Sequence, residues 1–352
     1  MVLDSADQPT IVGSIGAYTA AADPLLVRHL RDQAGVVTVA GSAGLRVLSA
    51  LARDGDVRGV DLDPASYLSK ESSQLTLTPI PWVERQRELN LRPVRSAGVF
   101  VPQKGSLRDA LAEPLDDDVY RVVSLHHAWL RPDKIAELLS VFGDTAGALS
   151  LIFAAPFDPF AAAGAIASLR HVLRSLGAQG RDVELLRCDL TALGFVADGG
   201  GRGAIGVTSN ARHHPQPLGR KAGEEYEQRQ RTPSVFVPQL LSWQRGSWLH
   251  ALAPHNGAGL TECPCAGCDG QSLLRFADEW PGQVPESVRS DARAHDVASW
   301  RRIADEVLTS TDPAATWQAR VRAAVDLQQE LAADKKVIVE LPASLTAWDD
   351  RT

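Results

Sequence analysis

Cys263, Cys265 and Cys268 fall within six residues, Cys263-Pro264-Cys265-Ala266-Gly267-Cys268, in a chain that has only four cysteines. Thiolates held that close repel one another and have little geometric freedom to pair as disulfides. A soft cation resolves both difficulties, and zinc takes four tetrahedral ligands from Cys and His. A Cys3His set fills that shell and leaves no position for water, so the expected role is structural. His295, with 26 residues between it and Cys268, is the expected fourth ligand, and His250 and His255 are its competitors. It stands at the start of a helix-like run, 294–308, in which Val297, Trp300, Ile303 and Val307 share one face at the 3.6 period. One turn of that helix can present His295 to the loop while the apolar stripe anchors to the body. The alternatives are free thiols or an iron–sulfur centre, which ordinarily wants a fourth cysteine nearby. The remaining thiol, Cys188, ends an apolar run and reads as a buried small residue.

The rest of the composition bounds the class. At 352 residues, with 44% hydrophobic and 22% charged residues, the chain has the make-up of a globular protein with a full core. A net charge of −7 argues against wholesale electrostatic wrapping of nucleic acid but leaves room for a local basic face. The N-terminal residues carry no basic segment of the secretory kind, and no apolar stretch approaches the ~18–20 residues that span a bilayer. With cysteines that read as metal ligands, the expected location is cytoplasmic, with no membrane partner.

Short β-branched or aliphatic runs alternate with amphipathic ones along the chain. Eight read as buried strands: 36–40, 57–62, 93–101, 120–125, 148–154, 183–188, 204–208 and 235–240. Helix-like segments lie between them, as at 106–112, 132–141 and 161–176. Repeating βα units imply a parallel sheet, and eight of them suit a closed (β/α)8 TIM-like barrel better than an open sheet. The expected organisation is an N-terminal capping segment (1–30, with a strand-like run at 10–18), the barrel (31–250), and a zinc-binding and helical region (251–352). That last region carries a helix over 316–332 and an extended piece at 337–341.

The C-terminal region resembles the tRNA-guanine transglycosylase superfamily, which exchanges guanine for a 7-deazaguanine base. Its zinc motif, Cys-x-Cys-x2-Cys followed about twenty-five residues later by a histidine that opens a helix, is reproduced by Cys263, Cys265, Cys268 and His295, with Ala294-His295-Asp296-Val297 starting the helix. The resemblance covers roughly the last quarter of the chain and implies a (β/α)8 barrel with zinc after the eighth strand. Ala204-Ile205-Gly206-Val207 is compatible with a family strand that approaches a base closely. The family's catalytic aspartates are absent. Its Asp-Ser-Gly-Gly-Phe segment corresponds to Arg95-Ser96-Ala97-Gly98-Val99-Phe100, and its nucleophile strand to Phe236-Val237-Pro238-Gln239-Leu240-Leu241-Ser242-Trp243, which holds no carboxylate. Double displacement at a glycosidic carbon needs two carboxylates, so any exchange requires others.

Functional groups of a barrel gather where its strands end. By that rule the candidates are Asp61 and Asp63, Asp158, Asp189, the pair His126 and His127, and Ser209, Asn210, Arg212 and His213. Asp189 is the nucleophile candidate, assisted by Asp61 or Asp63; as plain helix caps or turn residues these same aspartates need no catalytic role. His126, Ser209, Arg212 and His213 are the substrate-binding candidates, and the charged stretch from Arg212 to Arg231 reads either as a phosphate-tracking loop or as a solvated one. A different class is also readable. Val36 to Gly44, followed by Gly59-Val60-Asp61-Leu62-Asp63, resembles the opening of an S-adenosylmethionine-dependent methyltransferase, where the acid binds ribose. A third reading is a non-catalytic zinc-containing barrel that serves as a nucleic-acid-binding or partner subunit, in a homo- or hetero-oligomer. The leading expectation is recognition of guanine or a 7-deazaguanine base in tRNA or DNA, with exchange left open.

Overall fold

In the computed structural model of the chain, residues 14–68, 80–156, 158–215, 232–334, 337 and 342–349 are described. The first half runs β1 (Ser14–Thr19), α1 (Pro24–Ala34), β2 (Val37–Ala40), α2 (Gly41–Arg53), β3 (Val60–Asp63), α3 (Ile80–Glu88), β4 (Val94–Arg95), β5 (Val99–Val101), α4 (Leu107–Ala110) and β6 (Val119–His126). It continues through α5 (Ile135–Asp144), β7 (Leu149–Ala155), α6 (Ala165–Ala178), β8 (Val183–Cys188), α7 (Thr191–Ala197), β9 (Arg202–Gly206) and β10 (His214–Pro215). Then come β11 (Ser234–Val237), β12 (Ser242–Arg245), α8 (Leu249–Leu252), α9 (Glu286–Leu308), α10 (Pro313–Ala332) and α11 (Ala343–Thr346).

Eight strands form a curled, wholly parallel half-barrel sheet in the order β3-β2-β1-β9-β8-β7-β6-β4, with β5 also on β6 and β10 on β7. Parallel strands covered on both faces read as continuous apolar runs, and β7 is buried along its whole length. Side chains alternate between the faces. Val123 and Leu125 point into the main core beneath the helices, whereas Val122, with Tyr18, Ile152, Leu186 and Ala204, fills the concave side.

Two strand assignments change. The run expected as a cap provides β1, which pairs with β2 on one side and β9 on the other. Conversely, 235–240 is not a strand of the large sheet; β11 pairs only with β12, antiparallel, with Phe236 opposite Trp243. The reason is local. Pro238 brings no N–H to a ladder, and the outward N–H and C=O of Phe236 are taken by side chains of α9 rather than by a neighbouring strand. α9 also begins earlier than expected, at Glu286, so His295 lies well inside the helix. Its first turns are polar and carry no apolar stripe that would reveal them. Of the extended piece 337–341, all but Val337 lies outside the described residues.

The concave side holds two polar networks. Near the strand starts, Arg95 forks onto Glu184, Nε to Oε1 at 2.6 Å and Nη2 to Oε2 at 2.8 Å. It also donates to Leu62 O at 3.2 Å and Asp61 Oδ2 at 3.4 Å, so β4 reaches across to β3. A second link between these edges is Ser66 N donating to Ala97 O at 3.1 Å. Burial alone would raise Glu184, but Arg95 outweighs it and holds the carboxyl below its ordinary value. Nearer the strand ends, Asp63 Oδ2 accepts from the Tyr18 and Tyr67 hydroxyls, each at 2.6 Å, and Oδ1 from Ala65 N. Truncating one partner of a buried pair strands the other charge. Arg95→Met is therefore expected to cost about 3–5 kcal/mol; a loss under ~1 kcal/mol in denaturant unfolding, the size of an exposed pair, would contradict this account of the sheet interior.

Candidate functional site

Beyond the ends of β7, β8 and β9 lies an open pocket of ≈ 670 Å³. Asp158 and Asp189 stand on it together with Ser209, Asn210, Arg212 and His213, and Trp243, Trp317 and Trp348 supply aromatic walls. Each carboxylate closes a turn with one oxygen: Asp158 Oδ1 accepts from Phe160 N, and Asp189 Oδ1 from Thr191 N, both at 2.8 Å. The other oxygens converge on one residue. Ser344 donates its N–H to Asp158 Oδ2 at 3.2 Å and its hydroxyl to Asp189 Oδ2 at 3.3 Å. Burial, then the neighbouring Asp189 charge, pushes the Asp158 carboxyl above its ordinary range. Asp189 keeps the capping role that its position before α7 suggests and joins an acid pair as well.

The opposite wall depends on Gly206. A Cβ there would lie 2.3 Å from the Ala211 backbone, so only glycine lets residues 209–211 fold back over the end of β9. The close approach expected at this strand is thus made by the chain's own backbone. Arg212 donates Nε–H to Gly206 O at 3.3 Å and lays its guanidinium 3.5 Å from the centre of the Trp243 ring. Burial lowers its pKa to about 10, against the opposing pull of Asp296 and Asp189. The charged stretch from Arg220 to Arg231 lies outside the described residues.

Other expected site residues stand elsewhere. Asp61 and Asp63 belong to the interior networks and do not line the pocket. His126 accepts from Ala128 N through Nδ1 at 3.1 Å and stacks on His127, also away from the pocket. His214 is buried, with Nδ1 2.7 Å from Ser124 Oγ and its ring against Tyr67 and Phe100. Trp243, Ser344 and Trp348 carried no signal in the sequence, because isolated residues on separate elements have no shared spacing.

The candidate metal centre lies behind the Trp243 wall. Cys263, Cys265, Cys268 and His295 are all buried, with their ligand atoms within 4.8 Å of one another, and can hold a metal ion. His295 turns Nδ1 toward the thiols, 3.0 Å from Cys268 Sγ and 3.6 Å from Cys265 Sγ. Its Nε2 meets Phe236 O at 2.7 Å, a contact that fixes the proton there and leaves the Nδ1 lone pair for a metal. The donor set fits a soft cation. The Cys263 hydrogen bond drives Cys265 far below the ordinary thiol value, and the same neighbour drives Cys268 far above it. Three thiolates coexist only if a cation shares their charge. The competitors are placed elsewhere: His255 sits 3.4 Å from Asp334, and His250 is exposed. Cys188 is buried, as expected.

The next residue, Asp296, ties this group to the pocket. Its Oδ1 accepts from Phe236 N at 2.7 Å and its Oδ2 from Trp243 Nε1 at 2.9 Å. His295 and Asp296 thus clamp both backbone groups of Phe236 and aim the indole on which Arg212 rests.

Two outcomes follow from this geometry. Cys265→Ser should release bound metal and lower the melting temperature by about 10 °C or more; full metal content by elemental analysis with unchanged melting would refute a structural centre. His214 is held neutral by burial, with Arg187 and His213 adding, down to about 4. Between that value and the ordinary 6.5 the unfolded chain binds a proton that the folded chain refuses, so stability is lost as pH falls through this window. The loss is about 3 kcal/mol. It should appear as a shrinking advantage of wild type over His214→Gln between pH 7 and 4, and a pH-independent difference would contradict it. Comparison of the chain with protein-family models, with curated proteins and with solved structures gives no match.

Proposed function

We propose that the chain is a transglycosylase-like protein that binds and exchanges a guanine-type base of tRNA or DNA, with Asp158 and Asp189 as its carboxylate pair. The observation that carries this reading is the single residue Ser344 donating to both carboxylates. Two hydrogen-bond donors side by side are what the N–H edge of a guanine-type base also offers. A pocket of this volume between aromatic walls suits a planar heterocycle. The resemblance of the Cys3His motif supports the same reading, as does the eight-strand order, in which a (β/α)8 barrel would need only the β3 and β4 edges to pair. Zinc is the proposed metal, in a structural role away from the reacting atoms.

The chemistry is double displacement. Asp189 attacks the glycosidic carbon; the C–N bond breaks and its electron pair leaves with the base, which takes the proton carried by Asp158. An incoming base then attacks the same glycosidic carbon, giving its N–H proton to Asp158; the new C–N bond forms as the C–O bond to Asp189 breaks and frees the carboxylate. The raised carboxyl of Asp158 suits the acid role. By contrast, a cofactor ribose has no free acid at β3, since Asp61 and Asp63 are engaged by Arg95 and by two tyrosines.

Incubation with radiolabelled guanine and bulk tRNA, or duplex DNA, is expected to place label in one polymer. Asp189→Ala should abolish it, and Asp158→Asn should cut it about 10²–10⁴-fold, the span of general acid catalysis, with metal content unchanged in both. No incorporation by a folded, metal-loaded protein would overturn exchange and leave a non-catalytic barrel; undiminished incorporation by Asp189→Ala would overturn the assignment.

A further inference from the structure

Arg212 is a cation with no ion pair among the described residues, although two of their acids act on it. The two nearest acids, Asp296 and Asp189, are both committed elsewhere: Asp296 to Phe236 N and Trp243 Nε1, Asp189 to Thr191 N and Ser344 Oγ. Its hydrogen bond is the Nε contact to Gly206 O, and no carboxylate among the described residues forms an ion pair with it. The cation–π contact with Trp243 offsets part of the cost of desolvating this guanidinium, but it leaves the charge without a carboxylate among the described residues. What the arrangement does provide is a planar donor fork, fixed by an aromatic face on one side and a carbonyl on its inner nitrogen, at the edge of a pocket. That is the geometry in which arginine receives an oxyanion. Ser209 and Asn210, both exposed on the same wall, add polar groups beside it.

We infer that Arg212 forms a phosphate subsite of this pocket, presented by Trp243 and left without a carboxylate partner among the described residues by the diversion of Asp296 to the β11–β12 hairpin. A substrate that offers its base to Asp158 and Asp189 would then be held by a backbone phosphate on the Trp243 wall, which favours a nucleotide or nucleic-acid strand over a free base. Asp296 and Trp243 are positioning residues for this contact.

The inference rests on reading the pocket as the substrate site, but it is tested without base exchange, so either can fail alone. Native full-length protein is treated with phenylglyoxal in inorganic phosphate or in chloride of equal ionic strength, and arginine modification is mapped by peptide mass. Phosphate at saturation is expected to slow modification of Arg212 about tenfold, as ~90% occupancy gives, and to leave Arg170, which is paired with Asp198, unaffected. Phosphate should also raise the melting temperature of wild type and Arg170→Gln but not of Arg212→Gln. Equal slowing in chloride, or undiminished stabilisation of Arg212→Gln, would overturn the subsite. Should Arg212→Gln fail to fold, the protection of wild type alone decides.

Discussion

One residue's backbone joins the β11–β12 hairpin to α9 and to the cysteine loop. Phe236 gives its C=O to His295 Nε2 and its N–H to Asp296 Oδ1, so two adjacent side chains of α9 take the place of a sheet neighbour for β11. Everything around the pocket's aromatic wall leans on that clamp. The imidazole is oriented for the cysteine loop, the hairpin is fixed against α9, and the Asp296 carboxylate retains an oxygen for Trp243. Buried polar groups are stable only when satisfied, and here each partner satisfies the next. The consequence is that a cysteine loop remote from the carboxylates still bears on them, through α9, β12 and Arg212.

The curled sheet shows how charge inside a core is assigned to structure or left for chemistry. Arg95 is forked onto Glu184 and reaches Asp61 near the strand starts, and Asp63 accepts from two tyrosines and a backbone N–H nearer the ends. Past the strand ends the logic reverses. Asp158 and Asp189 share the two donors of Ser344 beyond their turns, and Arg212 forms no ion pair among the described residues. Residues of the same type are thus separated by whether their valences are filled, which decides where a substrate could bind.

Much of this was legible in the residues, and what was not has identifiable causes. The cysteine spacing specified the metal-binding group, because ligand chemistry restricts both residue type and separation. Seven of the eight expected sheet strands are present, since buried parallel strands must be apolar throughout. The eighth misled because β11 is equally apolar; its inward residues, Val235 and Val237, pack on the cysteine loop instead of on the large sheet. β1 is buried from Ile15 onward, but its small and polar residues, Ser14, Gly16, Ala17 and Thr19, break the aliphatic run that marks the other strands. Asp189, Ser209, Arg212 and His213 were recognisable from their places after strands, and they do meet in one pocket. Asp61 and Asp63 obey the same positional rule but turn inward, and pleat direction relative to a curled sheet is not written in local pattern. Ser344, 155 residues from Asp189, could be found only in three dimensions.

Hydrogen exchange with and without a metal chelator tests the central claim, that the cysteine loop holds the pocket wall, most directly. The account expects chelation to remove amide protection from 234–245 and from 203–213 together, while β6, β7 and β8 keep theirs. Protection lost only within 260–270, with the hairpin and the Arg212 segment unchanged, would contradict it.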